Sequence, residues 1–185
     1  TQYKPGEPPR RLIVRLATAL EGPLDEVLRR PRRQLQRERQ MQPVGSVQQV
    51  DAACLRWISR QPGRTVQEKA GPRQQVLGVV RKEYSNTLEN RVVRDVLRRC
   101  RKLARDYLAE FAQGNERHDY VVLVRKFAYR SRWALHHTLL SEVTDLDPVV
   151  QPNYVLLQEP RYGAFWRARQ QLISQNRLHN HLFRW

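Results

Sequence analysis

Carboxylates and histidines are where metal-dependent or acid–base chemistry would have to reside in this chain, and their spacing serves it poorly. Metal-assisted hydrolysis of nucleic acid needs two or three carboxylates, often with a lysine, converging on one ion that activates water. Asp95, Asp106 and Glu110 fall instead among arginines on one helical stretch, where pairing with residues three or four positions away is their expected role. Asp145 and Asp147 stand in the proline-marked segment TDLDPVVQPNY, and Asp147-Pro148 reads as turn chemistry. No Glu-x-Lys segment completes a strand-borne nuclease motif. His136 and His137 point about 100° apart on a helix and make poor joint ligands. The consecutive letters HNH at 179–181 bring no geometry, so His179 and His181 are also expected to be structural or surface histidines. Glycine-rich phosphate loops, a GxSxG elbow and a Walker-type lysine are absent. The expectation is no catalytic residue, no metal ligand and no cofactor. Enzyme activity is not expected of this chain alone, and is left open for a longer nuclease-containing protein of which it could be a piece.

The chemistry the sequence does favour is recognition of anions. The formal charge is +16 over 185 residues, and 29 of the 34 basic residues are arginine. Arginine presents a planar fork of donors that stays charged and pairs with phosphate in two-point contacts; a GC-rich genome would favour the same codons. A charge this large opposes compaction and attracts polyanions. Nucleic acid is the leading partner, with an acidic protein surface as the alternative. Cys54 and Cys100 fall on apolar helix faces without paired spacing, which excludes a disulfide framework or CxxC metal site and points to a reducing, cytoplasmic setting. No run of about 18 apolar residues could span a membrane, and the N-terminus carries no signal pattern.

The charge is concentrated in NTLENRVVRDVLRRCRKLARDYL, residues 86–108. Stepping about 100° per residue from Arg91 places Arg94, Arg98, Arg101 and Arg105 within roughly 80° of it, as one stripe. Val92, Val93, Val96, Leu97, Cys100, Leu103, Ala104, Tyr107 and Leu108 fall opposite, as a wide apolar face. Glu89 sits towards that apolar face, where a charge should not be unpaired. Either Asn86 is the N-cap and Glu89 closes a variant capping box, or Asn86, Glu89, Asn90 and Arg91 form a polar junction that holds a second segment.

These residues must be positioned by a mainly α-helical single domain of about five to seven helices with at most a minor β element. Residues 1–10 are read as an extended arm and 11–185 as the domain. RRLIVRLATALEGP is expected as a short helix closed by Gly22 and Pro23, and PLDEVLRR as a second one ended by Pro31. Residues 31–45 have few apolar anchors, only Leu35 and Met41, and read as an exposed basic connector or a poorly buried helix. Arg32, Arg33 and Arg37 there join the stripe as candidate phosphate contacts. Ser46 and Gln49 resemble a capping box that opens a helix running to Pro62. RQQVLGVVRKEYS is the likeliest strand in β-branched content. A turn at QGNERHD precedes a long helical pattern from Tyr120, whose first five residues also fit a strand, and helix resumes after Asn153.

The stretch from Thr87 to Arg91, Thr-x-Glu-Asn-Arg, and the segment from Tyr154 to Tyr162 resemble a helical domain of unknown function found in bacterial proteins with McrC-like nuclease regions. That domain commonly lies upstream of a PD-(D/E)xK nuclease region, and its genes neighbour NTPases of restriction-type defence systems. The resemblance implies a nucleic-acid-facing or assembly domain of a defence protein, with catalysis elsewhere and a nuclease or NTPase subunit as partner. No nuclease signature follows in this chain. Taken together, the expected function is sequence-nonspecific binding to the nucleic-acid backbone, duplex DNA ahead of RNA, with Arg91, Arg94, Arg98, Arg101 and Arg105 as the phosphate track; the tryptophans and tyrosines do not interleave with this stripe as a base-stacking platform would require, which favours backbone contact over base readout. The rival readings are a structural adaptor that docks an acidic protein partner and a ribonucleoprotein component.

Overall fold

The computed structural model describes residues 7–182, with side chains to Gln175. The first six residues of the expected arm and the side chains of His179 and His181 lie outside the described residues. Two compact units are formed. One comprises the chain up to Arg32 together with everything from Ser85 onward, and the other is the inserted segment Arg33–Tyr84.

The first unit is helical, built from α1 (Leu12–Arg29), α4 (Leu88–Phe111), α5 (Asp119–His137), α6 (Tyr154–Gln158) and α7 (Pro160–Leu182). The central element is α4, which packs against α1, α5 and α7. Its apolar face is buried as the helical period requires: Val92, Val93, Val96, Leu97, Cys100 and Ala104 are inaccessible, and Leu103 and Leu108 are partly covered at the edge. Burial pushes the Cys100 thiol up to about 12, so it behaves as a small apolar side chain. The expected break at Gly22 and Pro23 does not occur. α1 runs through Pro23, because Leu20, Leu24 and Val27 continue one buried face, and that packing outweighs the hydrogen bond a proline removes. The stretch after QGNERHD is helical from Asp119, with His118 as its N-cap, so the strand alternative for its start is not adopted.

In the inserted unit, residues 31–45 depart from the connector or helix expected of them. Gln34–Pro43 is a strand, β1, paired antiparallel with β2 (Gln75–Tyr84) from Gln34↔Tyr84 to Pro43↔Gln75. β1 is exposed along most of its length, Leu35 and Met41 included, so its order comes from the ladder with β2 and not from burial. β2 is the more buried strand: Val76 and Val79 are both covered, although their spacing of three puts them on opposite faces. Gly78 lies between them where a Cβ would meet the Gln42 amide at 2.8 Å and Val47 at 3.1 Å. The helix expected from Ser46 begins only at Ala52. Asp51, not Ser46, caps α2 (Ala52–Ser59) by accepting the Ala53 and Cys54 N–H groups, each at 3.0 Å. Arg39 reaches the same carboxylate and holds it well below the usual carboxylate range. A single turn, α3 (Val66–Lys69), opens on a complete capping box of Thr65 and Glu68.

The start of α4 holds the first unit together. Thr87, not Asn86, is the N-cap, its hydroxyl accepting the Asn90 N–H. Glu89 is therefore not part of a capping box with Asn86, and the junction alternative describes the geometry. Asn90 is fully buried and uses its whole amide: Nδ2 donates to the Arg32 carbonyl at 2.8 Å and the Ser85 carbonyl at 2.7 Å, while Oδ1 accepts from the Tyr162 hydroxyl at 3.1 Å. That hydroxyl in turn accepts the Arg32 N–H at 2.8 Å. Glu89, 1% exposed, accepts from Asn153 Nδ2 at 2.9 Å and lies 3.5 Å from Arg32 Nε. Four stretches distant in sequence thus meet at one helix N-terminus. Removing one partner of such a network leaves its buried mates unsatisfied at about 1–3 kcal/mol each. Asn90→Ala is accordingly expected to destabilise the protein by at least about 2 kcal/mol, against about 0.5 kcal/mol or less for the exposed change Arg105→Gln. Chemical denaturation of the two variants checks this; equal midpoints would show that the junction carries no stability.

Candidate nucleic-acid interface

The arginine stripe is real as a helical face, and its members have different surroundings. At the N-terminal end, Arg91 Nε donates to Asn86 Oδ1 at 3.0 Å, and the same oxygen accepts from the backbone and hydroxyl of Thr144, both at 3.1 Å. Arg94 donates to the Val143 carbonyl and lies 3.3 Å from Asp145. Arg98 also pairs with Asp145, and that hydrogen bond, followed by the positive charges of Arg98 and Arg94, holds the Asp145 carboxyl below its ordinary value. The segment 143–145 after α5 therefore lies along the first half of the stripe. Arg91 and Arg94 are tied to protein, and Arg98 is half tied, its side chain still 54% exposed.

The second half is different. Arg101 and Lys102 make no ion pair among the described residues, and Arg105 makes only a long contact at 3.4 Å with its chain neighbour Asp106. Together with Arg98, these residues form one wall of a groove of about 880 Å³, whose other wall is α5. Ala109 and Ala128 are among its lining residues and contribute only short side chains, while Arg132 and Tyr129 line its α5 side. Five cations and no carboxylate line it. Like charges held this close in a concave surface raise the local potential and concentrate anions.

Three other expected contacts fall elsewhere. Arg32 belongs to the buried junction by its backbone and by its approach to Glu89. Arg33 pairs with Glu83 at 2.7 Å in the inserted unit. Arg37 is exposed on β1, directly across the ladder from Arg81, with no ion pair among the described residues. The acids expected to pair locally do so in part. Asp95 takes Arg99 one turn on at 2.9 Å, but it also lies 3.6 Å from Arg169, a cation only 5% exposed that donates to the Pro148 carbonyl. Glu110 pairs with Arg11, far away in sequence, instead of with a helical neighbour. Asp147 shares no cluster with Asp145: among the described residues no group of three or more His, Cys, Asp or Glu could hold a metal ion. No helix of the described residues is long and apolar enough to cross a membrane.

Sequence periodicity missed Tyr129 and Arg132 as site residues. A helical wheel of residues 119–137 puts both on the wet face, but only the packing of α5 on α4 brings them opposite the stripe.

No curated protein and no solved structure matches the chain. A family model described as a domain of unknown function, DUF2357, matches residues 10–168, most of its length, and the chain belongs to that family.

Proposed function

We propose that this protein binds the phosphate backbone of DNA without sequence specificity, as a non-catalytic part of a larger cytoplasmic assembly. The observation that carries the reading is the groove between α4 and α5, with five cations and no carboxylate in its lining. Among the described residues Arg101, Lys102, Arg105 and Arg132 have no strong intramolecular partner, so a ligand phosphate need not displace one there. Contacts of this kind position a nucleic acid by its phosphates without reading its bases, and duplex DNA is a sufficient probe of them. Arg91 and Arg94 are reassigned in this reading from phosphate track to scaffold, since both are already satisfied by the chain. The resemblance of the Thr87–Arg91 and Tyr154–Tyr162 segments to a domain that accompanies McrC-like nuclease regions supports a place in a restriction-type defence assembly, with cleavage supplied by a nuclease segment or subunit and energy by an NTPase. Carboxylate sites able to hold a catalytic metal would then reside in those partners.

Titration with duplex DNA at several salt concentrations tests the binding. About four phosphate contacts give a slope of log affinity against log salt near −4, and Arg101→Gln, Arg105→Gln and Arg132→Gln combined should flatten it by roughly 3. A flat wild-type response, with tight binding to an acidic polypeptide, would instead favour an adaptor for a protein partner. Incubated with magnesium or manganese, the chain is expected to leave DNA and RNA uncut. Divalent-dependent cleavage lost on Asp145→Asn would overturn the non-catalytic assignment.

A further inference from the structure

The wet face of α5 carries more than charge. Tyr129 is 71% exposed and Trp133 46% exposed, and with the exposed His137 they stand at four-residue spacing, so each lies one turn above the last on the same face. The rise from one to the next is about 6 Å. The Trp133 and His137 rings are 6.2 Å apart between centroids and 33° from parallel. Tyr129 lines the cationic groove and also a second cleft of about 420 Å³ on the α1 flank of α5, shared with Trp133, Leu28 and Arg29, so the groove and the cleft meet at its ring. The acids bordering this face are already engaged: Glu21 pairs with Lys126 at 2.6 Å, and Asp25 with Arg130.

Two aromatic rings stand open to water, 71% and 46% exposed, on a helix whose other face supplies the core. Beside five unpaired or half-paired cations, their chemistry is that of a stacking platform flanking a phosphate track. A duplex offers such a platform nothing, because its base faces are covered by their neighbours; an unpaired strand offers both phosphates and bare base faces. We propose that the groove and the Tyr129–Trp133 ladder together bind single-stranded nucleic acid, the cations following the backbone and the rings stacking on successive unpaired bases. This rests on the phosphate-binding reading above and names its preferred ligand.

The test compares a labelled oligo(dT) with a blunt duplex of equal length, by anisotropy, on the full chain. Wild type should prefer oligo(dT). Tyr129→Ala and Trp133→Ala should each lower oligo(dT) affinity by about tenfold, in line with the stacking contribution per base, and Trp133→Ala, which lies outside the groove lining, should leave duplex affinity and the salt slope unchanged. Tyr129→Phe and Trp133→Phe keep the rings and should retain wild-type binding, which separates stacking from any loss of folding in the alanine variants. Wild-type oligo(dT) affinity in both alanine variants, or an equal loss for oligo(dT) and duplex, overturns the ladder while leaving the phosphate track in place. Binding of neither ligand overturns both. Loss of binding to poly-glutamate in Tyr129→Ala, with oligo(dT) unaffected, would assign the rings to a protein partner and also overturn the proposal.

Discussion

The side chain of Asn90 is inaccessible to solvent, and each of its polar groups is used by a different part of the chain: the end of the segment after α1, the entry to α4, and the first turn of α7. The arrangement of the helical unit depends on this junction. A primary amide is one of few side chains that can accept and donate twice at the same point, which is what is needed where two backbone carbonyls and a tyrosine hydroxyl converge away from water. Burial raises the Tyr162 hydroxyl above its ordinary range and keeps it neutral, able both to donate to Asn90 and to accept from Arg32. Glu89 beside it is costlier to bury. One carboxylate oxygen is held by Asn153, while the other has no hydrogen-bond partner among the described residues. The approach of Arg32 offsets part of that cost, and such buried charges specify an arrangement better than they stabilise it.

This junction explains how one arginine face serves two ends. Near the N-terminus of α4 the chain returns repeatedly, and Asn86, Val143, Thr144 and Asp145 absorb the guanidinium groups of Arg91, Arg94 and in part Arg98. Further along the helix no segment of the described residues returns, and the same kind of side chain lines an open groove across from α5. The stripe is continuous in sequence and divided in environment. Helical self-repulsion is thereby relieved at one end by the protein and left unrelieved at the other.

The long amphipathic helix was legible in the sequence because its apolar positions keep the 3.6 period for more than five turns, and β2 was legible from its β-branched run. The junction was legible as an alternative, since a carboxylate towards an apolar face demands a partner. What could not be read were long-range pairings. β1 contains almost nothing a strand prefers, QLQRERQMQP, and forms because β2 is available to complete its backbone hydrogen bonds. The passage of α1 through Pro23, the strap at 143–145 and the opposition of Tyr129 to Arg101 likewise follow from tertiary packing, which overrides local punctuation. Charge density along the chain likewise says nothing about which guanidinium is already occupied: Arg32 and Arg33 approach carboxylates, whereas Arg37 makes no ion pair among the described residues.

The division of the stripe is the central claim, and one paired measurement reaches it directly: melting temperature and DNA affinity of two double variants on the same helix. Arg91→Gln with Arg94→Gln should lower the melting temperature while the folded protein binds DNA as wild type does, because these side chains hold Asn86 and the strap. Arg101→Gln with Arg105→Gln should melt as wild type does and bind more weakly, by roughly the two phosphate contacts removed. Equal effects of the two pairs on binding, with no difference in melting, would contradict the account and make the whole stripe a single ligand surface.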